Sequence, residues 1–368
     1  MLRVGVSGVN GIGQAHLWAL RTLETSTLAA VCDVDAKRAE KAGADHEVPW
    51  FTDAREMHAI GACDAVVIAT PPGTHGALVR EALDAGLHVY CEKPFTPTCD
   101  EGYALAEHAR TCGRVLVVGL QFRFHLGYAA MRTTLAELGA LRRVHVTATN
   151  WLRAQRYFDV SPWRASWRMA GGGVLMSQAV HQLDALVAAA GMPVRVRAQV
   201  RNTSHRADVE DEASLELEWP SGARGTVIAS LNEPAGHERF ELYCEGGAVT
   251  LADGYDIRVA RHDPVQQLID ECPDEFPVQA VAWERVEVPR AKTEWFDMLA
   301  AAHREFAGAI AEQRPSSIGA DEGTRSVELA NAVYLSSWTG ARVDVPLQPG
   351  VYPPVFEELA STRRLPRS

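Results

Sequence analysis

At 368 residues with a formal net charge of −11, the chain exceeds what one compact core usually carries and points to two domains, at roughly 150 residues each. Its 47% apolar and 23% charged residues fit an ordinary folded protein and exclude a fibrous or disordered one. The acidic balance excludes a phosphate-tracking nucleic-acid binder, which needs a basic face to displace counterions, and leaves a small molecule as the expected partner. The seven cysteines (Cys32, Cys63, Cys91, Cys99, Cys112, Cys244, Cys272) include no C-x-x-C pair and no Cys/His cluster at zinc spacing, so no metal and a reducing compartment are expected. The start MLRVGVSGVNG enters a strand without a basic and apolar leader, and no apolar run reaches about 18 residues. The expectation is a cytoplasmic protein with no membrane partner.

From Leu2 to Gly119 short apolar runs alternate with helical stretches. LRVGV precedes Gln14 to Leu23, LAAVCD precedes Lys37 to Gly43, and AVVIAT precedes Ala77 to Ala85; LHVYCE, Gly102 to Cys112 and VLVVG follow. Continuous apolar strands separated by helices are what a parallel sheet covered on both faces requires, so this region is predicted as α/β and doubly wound. After Gly119 the rhythm changes. Strands are expected over 144–149, 194–203, 213–219, 225–230 and 240–243, with turns at Pro220-Ser221-Gly222 and Gly246-Gly247. Helical period returns over 174–190, and again where Trp295, Leu299, Ala302, Phe306 and Ile310 share one face and are expected in the core. The segment 262–290, rich in Pro, Asp and Glu, is read as loop with short strands. The second region is therefore α+β with a large, mostly antiparallel open sheet, and the division is placed at 1–122 and 123–368.

The first strand, its turn and the following helix carry Gly8, Gly11 and Gly13. Glycines here permit a tight turn and let a diphosphate approach the amides of the helix N-terminus. The G-x-G-x-x-G register would put its middle glycine at position 10, where this chain has Asn10, a residue that tolerates positive φ better than most. Asp33 ends the second strand 20 positions after Gly13, where a carboxylate accepts from the adenosine ribose hydroxyls and favours NAD. Asp35 competes with it as ribose ligand or helix cap. Lys37 and Arg38 keep NADP open, although a solvated helix start accounts for them.

Read on through ATPPGTH (Ala69 to His75), EKP (Glu92 to Pro94) and GGGVLMSQAVHQLD (Gly171 to Asp184), the chain resembles the Gfo/Idh/MocA oxidoreductases over nearly its whole length. That family includes inositol, sugar and sugar-nucleotide dehydrogenases. The resemblance implies a Rossmann domain followed by an α/β domain whose open sheet forms oligomer contacts, here a homodimer or homotetramer. It places Gly8, Asn10, Gly11, Ile12 and Gly13 at the cofactor, with Thr70, Pro71, Pro72 and His75 along its central portion. It puts Glu92 near the nicotinamide ribose, makes Pro94 the fixer of the turn that aims Lys93, and adds Gln121, Trp163 and Arg164 as cofactor neighbours. For His75 the choice lies between a cofactor contact and a helix start.

Lys93 follows a strand carboxyl end, which in open α/β sheets faces the ligand crevice. There it can hydrogen-bond a substrate hydroxyl and stabilise developing negative charge, the role the family implies for the matching lysine. His181 lies in a helical stretch after a triple glycine, with Asp184 three residues on, and a neutral imidazole can take the hydroxyl proton while hydride leaves the same carbon. Many relatives carry Asp four residues before this histidine. Ser177 stands there in this chain, which leaves Lys93 and His181 as the expected catalytic pair, with Gln178 a candidate substrate contact. Asn150 to Gly173 brings four arginines, three tryptophans and a tyrosine, suited to a polyhydroxylated or acidic ligand through aromatic faces and guanidinium forks. Arg153, Arg156, Tyr157 and, from LQFRF, Arg123 are candidate substrate contacts.

The expectation is an NAD(P)-dependent dehydrogenase or reductase acting on a secondary alcohol of a sugar, cyclitol or glycoside, aminoglycosides included, with NADP the alternative cofactor. Two rivals keep the fold: glycoside cleavage through transient oxidation, and a cofactor-binding sensor resembling the galactose-regulon repressors.

Overall fold

The computed structural model describes residues 1–275, 281–290 and 294–362. Taking the described residues of each span, one compact unit comprises Met1–Gln121, Ser166–Gly171 and Thr293–Glu328, and the other comprises Phe122–Ala165, Gly172–Lys292 and Leu329–Ser368.

In the first unit the order is β1 (Leu2–Ser7), α1 (Ile12–Thr22), β2 (Ser26–Cys32), α2 (Ala36–His46), β3 (Trp50–Phe51), α3 (Ala54–Ala59), β4 (Ala65–Ile68), α4 (His75–Asp84), β5 (His88–Cys91), α5 (Cys99–Thr111) and β6 (Leu116–Val118). The strands form one parallel sheet in the order β3-β2-β1-β4-β5-β6. Their side chains are withdrawn on both faces: Val4, Val6, Val66, Val67, Val89 and Tyr90 are all fully buried, which explains the unbroken apolar runs. Asp35 caps α2 by accepting from the amides of Lys37 and Arg38, and Thr98 caps α5 through the Glu101 amide, each satisfying helix donors that have no partner within the helix. β3 and α3 are too short to show a period in the sequence.

The second unit opens with α6 (Leu126–Ala136), β7 (Leu141–Ala148) and the single-turn α7 (Arg156–Asp159). The short α8 (Trp167–Ala170) counts with the first unit. There follow α9 (Val174–Ser177), α10 (Val180–Ala190), β8 (Arg195–Arg201), β9 (Glu212–Glu218), β10 (Arg224–Ser230), β11 (Glu238–Cys244), β12 (Gly247–Ala252), β13 (Asp256–Arg261), α11 (Val265–Glu271) and β14 (Trp283–Val286). Then come α12 (Glu294–Ala311) and α13 (Ala320–Thr339), of which α12 and the part of α13 up to Glu328 count with the first unit, and last, in the second unit, β15 (Val343–Asp344) and α14 (Tyr352–Thr362). The sheet runs β14-β13-β12-β11-β7-β10-β9-β8-β15, antiparallel except for the β7–β10 pair. In β8, buried Val196, Ala198 and Val200 alternate with exposed Arg195, Arg197, Gln199 and Arg201, the period of a sheet covered on one side. α6 packs on β12 and β13, and α9 on β9 and β10.

Three expectations change. The helix expected over 174–190 is interrupted after Ser177 and resumes at Val180. The stretch 262–290 contains a helix, α11, beside the strand β14, and its residues 276–280 lie outside the described ones. Trp295, expected in the core, is 37% exposed because it stands on the outer edge of the α12 face that buries Leu299, Ala302 and Phe306. Among the described residues no helix is long and apolar enough to cross a membrane.

Candidate active site

The register of the parallel sheet aligns Ser7, Cys32, Ile68, Cys91 and Val118 in one row. The next residue of each strand is therefore Gly8, Asp33, Ala69, Glu92 and Gly119, so the candidates from five strands share one carboxyl edge. The β1–β4 adjacency at the centre is the topological switch where ligands of such sheets bind.

The glycine turn is shaped by close approach. Gly8 has φ +88°, and a Cβ there would lie 2.7 Å from the Ala69 carbonyl oxygen; a Cβ on Gly13 would collide with the Gly8 carbonyl. Gly11, at φ +55°, has open space where a Cβ would stand, and no side chain caps α1. Asn10 and Gly11 are exposed and Ile12 half-buried. An uncapped helix N-terminus behind an open, side-chain-free turn is a cradle for a diphosphate. Asp33 is 8% exposed and accepts from the amides of Val9 (3.1 Å) and Asp35 (3.0 Å). The competition between the two aspartates is thereby divided: Asp35 caps α2 and Asp33 faces the glycine turn. The Arg38 guanidinium lies 3.2 Å from Asp35 and 3.5 Å from Asp33, held by two carboxylates that a 2′-phosphate would also meet. Two buried acceptors, Ser7 Oγ and Gln121 Oε1, have no hydrogen-bond partner among the described residues, as expected of groups that a ligand completes. Turn, carboxylate and orphaned acceptors all fit a dinucleotide.

Beyond β4, Thr70 and Thr74 hydroxyls bond at 2.7 Å and Pro72 starts a short turn. His75 opens α4 but is fully buried: Nε2 meets the Thr70 carbonyl at 2.8 Å, and Nδ1 meets those of Pro94 and Phe95 at 3.1 Å. Burial pushes its pKa down. In that place the ring ties the Thr70–Pro72 loop to the Lys93–Phe95 loop. Lys93 is half-buried after β5, and its amide donates to Glu92 Oε2 at 3.1 Å. Glu92 Oε1 meets His16 Nε2 at 3.0 Å, and His16 Nδ1 meets His303 Nε2 at 2.8 Å. A carboxylate acceptor puts the His16 proton on Nε2, so its Nδ1 accepts from His303. Burial holds His303 well below the usual histidine range, which keeps that ring a neutral donor. His16 and His303 escaped the sequence reading; a histidine three residues after the last glycine of the turn is the one local signal.

In the second unit His181 is 6% exposed in the first turn of α10, its ring stacked on Phe122 with centroids 4.1 Å apart. Arg123, expected at the substrate, spends its fork on Asp184: Nε to Oδ2 at 2.9 Å and Nη2 to Oδ1 at 2.7 Å. Both groups are nearly enclosed, so the arginine anchors the helix that carries His181. The triple glycine has a packing reason, since a Cβ on Gly172 would collide with the Tyr334 hydroxyl and one on Gly173 with the Glu210 carbonyl. Ser177 ends α9, its amide bonded to the Gly173 carbonyl.

Arg153, Tyr157, Arg164 and Gln178 come together. Arg153 Nη2 donates to Gln178 Oε1 at 3.1 Å, and Gln178 Nε2 to the Tyr157 hydroxyl at 3.2 Å. The Arg153 and Arg164 guanidiniums lie 5.3 Å and 4.3 Å from the centroid of the Tyr157 ring, and Arg164 also stands 5.1 Å from that of Trp163. Arg156 is outside this group, exposed on α7. His205 holds the cluster from behind, with Nε2 on the Arg153 carbonyl at 2.8 Å and Nδ1 on Asp211 at 2.9 Å. Burial raises the Asp211 pKa, but the amides of Thr203 and Ser204 and the His205 ring more than offset it. His205 and Asp211 carry no sequence signal toward Arg153. Among the described residues one donor set, Asp84, His108 and Cys112, is close enough to share a cation; there Asp84 already pairs with His108 at 2.6 Å.

The family model of oxidoreductases with an NAD-binding Rossmann fold, GFO/IDH/MocA, matches residues 2–120, and the GFO/IDH/MocA C-terminal domain matches residues 128–250. The chain is similar to inositol 2-dehydrogenase 4 of Saccharopolyspora erythraea, 32% identical over 71% of this chain and 76% of that one. It is similar to D-xylose 1-dehydrogenase (NADP(+)) 2 of Haloferax volcanii, 28% identical over 93% and 99%. The solved UDP-N-acetylglucosamine 3-dehydrogenase of Acidithiobacillus ferrooxidans superposes with a TM-score of 0.73 at 26% identity, over 91% of this chain and 97% of that one. With glycine turn, parallel sheet and second sheet all accounted for, this chain is an NAD(P)-dependent oxidoreductase acting on CH–OH groups and belongs to the Gfo/Idh/MocA family.

Proposed function

We propose that the protein oxidises a secondary alcohol of a sugar or cyclitol to a ketone, or catalyses the reverse, with Lys93 and His181 in proton transfer and NAD the preferred cofactor. The observation that carries the reading is the cluster of Arg153, Tyr157, Arg164 and Gln178 at the start of the segment leading to His181, a polar and aromatic surface suited to a hydroxylated ring. The relatives named for inositol, xylose and a UDP-sugar agree with that substrate class. Bound nicotinamide supplies the hydride acceptor. Lys93 donates a hydrogen bond to the substrate oxygen and stabilises its developing charge, and His181 takes the hydroxyl proton. With Ser177 in the place of a carboxylate, His181 has no aspartate one turn before it. Asp33 and Asp35, facing Arg38, disfavour a 2′-phosphate and so favour NAD. Homodimer or homotetramer assembly uses the open face of the second sheet, on which Arg197, Glu216, Thr226 and Ile228 are exposed.

The test is absorbance of the reduced cofactor with NAD or NADP against a panel of sugars, inositols and sugar nucleotides. Lys93→Ala and His181→Ala are each expected to lower kcat by about 10²- to 10⁴-fold while cofactor affinity, read by fluorescence titration, stays near that of the parent. Near-normal turnover in either variant would remove that residue from the mechanism.

A further inference from the structure

We propose that the ends of α4 and α5 hold a divalent cation of the zinc class, bound by Asp84, His108 and Cys112. Asp84 is the last residue of α4, His108 stands in the last turn of α5, and Cys112 follows that helix as its cap. His108 and Cys112, four positions apart, share one helix face, and the packing of α4 on α5 brings Asp84 to them. One ligand atom of each lies within 4.8 Å of the other two. Asp84 and Cys112 each precede a strand, β5 and β6. The set therefore lies at the amino edge of the parallel sheet, opposite the carboxyl edge that carries the nucleotide candidates.

His108 Nε2 stands 2.6 Å from Asp84 Oδ1 and 3.7 Å from Cys112 Sγ. Both contacts fall on the same ring nitrogen, whereas a nucleophilic relay needs thiol and carboxylate on opposite nitrogens. A neutral ring gives its Nε2 proton to Asp84 and then has no lone pair there for the thiol. A cation in place of that proton serves all three groups. Tetrahedral bonds of about 2.0 Å to nitrogen and oxygen and about 2.3 Å to sulfur set N and S roughly 3.6 Å apart and N and O roughly 3.3 Å apart. The histidine and cysteine are already spaced so, and Asp84, its side chain 57% exposed, needs to withdraw by about 0.7 Å. An ionised thiol, an ionised carboxylate and a neutral imidazole cancel the two charges of the ion, the thiol proton passing to water. The negative ends of both helix dipoles add to the attraction. Thiolate and imidazole select zinc or cobalt over magnesium and calcium, which prefer oxygen. Water takes the fourth position, and the ion cross-links two consecutive helices.

The test uses the full chain, stripped of metal by a chelator and kept reduced with a phosphine. Cobalt is the probe, because thiolate-bound cobalt absorbs in a near-ultraviolet charge-transfer band. One equivalent is expected to raise that band and excess zinc to remove it. Cys112→Ser is expected to abolish the band although the other cysteines remain. His108→Gln, which keeps a donor for Asp84, should weaken cobalt binding at least about 100-fold, more than loss of an outer-shell partner costs. Asp84→Asn should keep the band at lower affinity. The melting midpoint of the parent should rise with added zinc, and that of Cys112→Ser should not. No band at about 1 mM cobalt overturns the proposal, as does a band that Cys112→Ser or His108→Gln leaves at parental affinity.

Discussion

A carboxylate enclosed at the end of a strand must be held by donors, and the Glu92 side chain obtains them from the Lys93 amide and from His16, which His303 supports in turn. His303→Leu removes the last donor and leaves His16 Nδ1 buried and unsatisfied, at a cost of about 1–3 kcal/mol. If Glu92 orients Lys93, part of that cost is felt in the transition state, and kcat falls about tenfold. His303→Gln, which keeps an N–H donor, should retain most of the turnover. Steady-state kinetics and thermal melts on both variants check this: equal losses in the two would mean that packing, and not the hydrogen bond, matters. The glycine turn and the place of Asp33 beside it were legible because they depend on the local strand–turn–helix pattern. The His16–His303 contact spans 287 positions, and on a helical face a buried histidine looks like any other core residue. The Arg123–Asp184 pair was hidden for the same reason, since nothing local announces Asp184 as a partner.

At the scale of elements, α9 begins against a buried acid. Glu210 accepts from the amides of Gly173 (2.7 Å) and Leu175 (3.0 Å) and from the Tyr334 hydroxyl (2.8 Å). Burial outweighs these donors and raises its pKa to about 7. An acid whose folded pKa lies above its unfolded value contributes stability in full below the unfolded pKa and loses it as pH rises through the folded one. The window therefore runs from about 4.3 to about 7, and the loss across it is roughly 3 kcal/mol. Glu210→Gln should melt lower than the parent at pH 4.5, because an amide donor then faces backbone donors, yet change less than the parent between pH 4.5 and 7.5. Parallel melting curves for the two proteins would refute the assignment. The strands β7 to β11 were readable because one covered face imposes alternation, as in β8. β12 has most of its residues buried and does not alternate, so its sequence carries no such mark. The break after Ser177 was hidden because the apolar spacing continues across it; the Gln178 backbone leaves helical geometry at φ −121°, ψ −62°.

At the scale of the molecule, a boundary at 122/123 follows the change in strand rhythm, yet the first compact unit also takes in the span Thr293–Glu328. Nothing in that span's composition ties it to the N-terminal sheet; only the contacts do. Tyr90, fully buried, stacks on His303 with centroids 5.0 Å apart and meets Phe306 at 6.0 Å. Trp18 packs on Phe296 at 4.4 Å, and the Val118 amide donates to the Ile318 carbonyl at 2.8 Å. A fragment of residues 1–121 would expose Tyr90 and strip these neighbours from α1 and β6. Each large side chain uncovered costs about 1.5–3 kcal/mol, so three or four of them reach the roughly 5–15 kcal/mol that hold a domain together. The fragment is expected to show no cooperative urea transition, to bind a hydrophobic dye and to lack NAD binding. Joining 294–328 to it through a flexible linker should restore a cooperative transition, since the added helices recover the buried surface. If residues 1–121 alone unfold cooperatively and bind NAD, the returning helices are an accessory to the nucleotide-binding sheet and not part of its core.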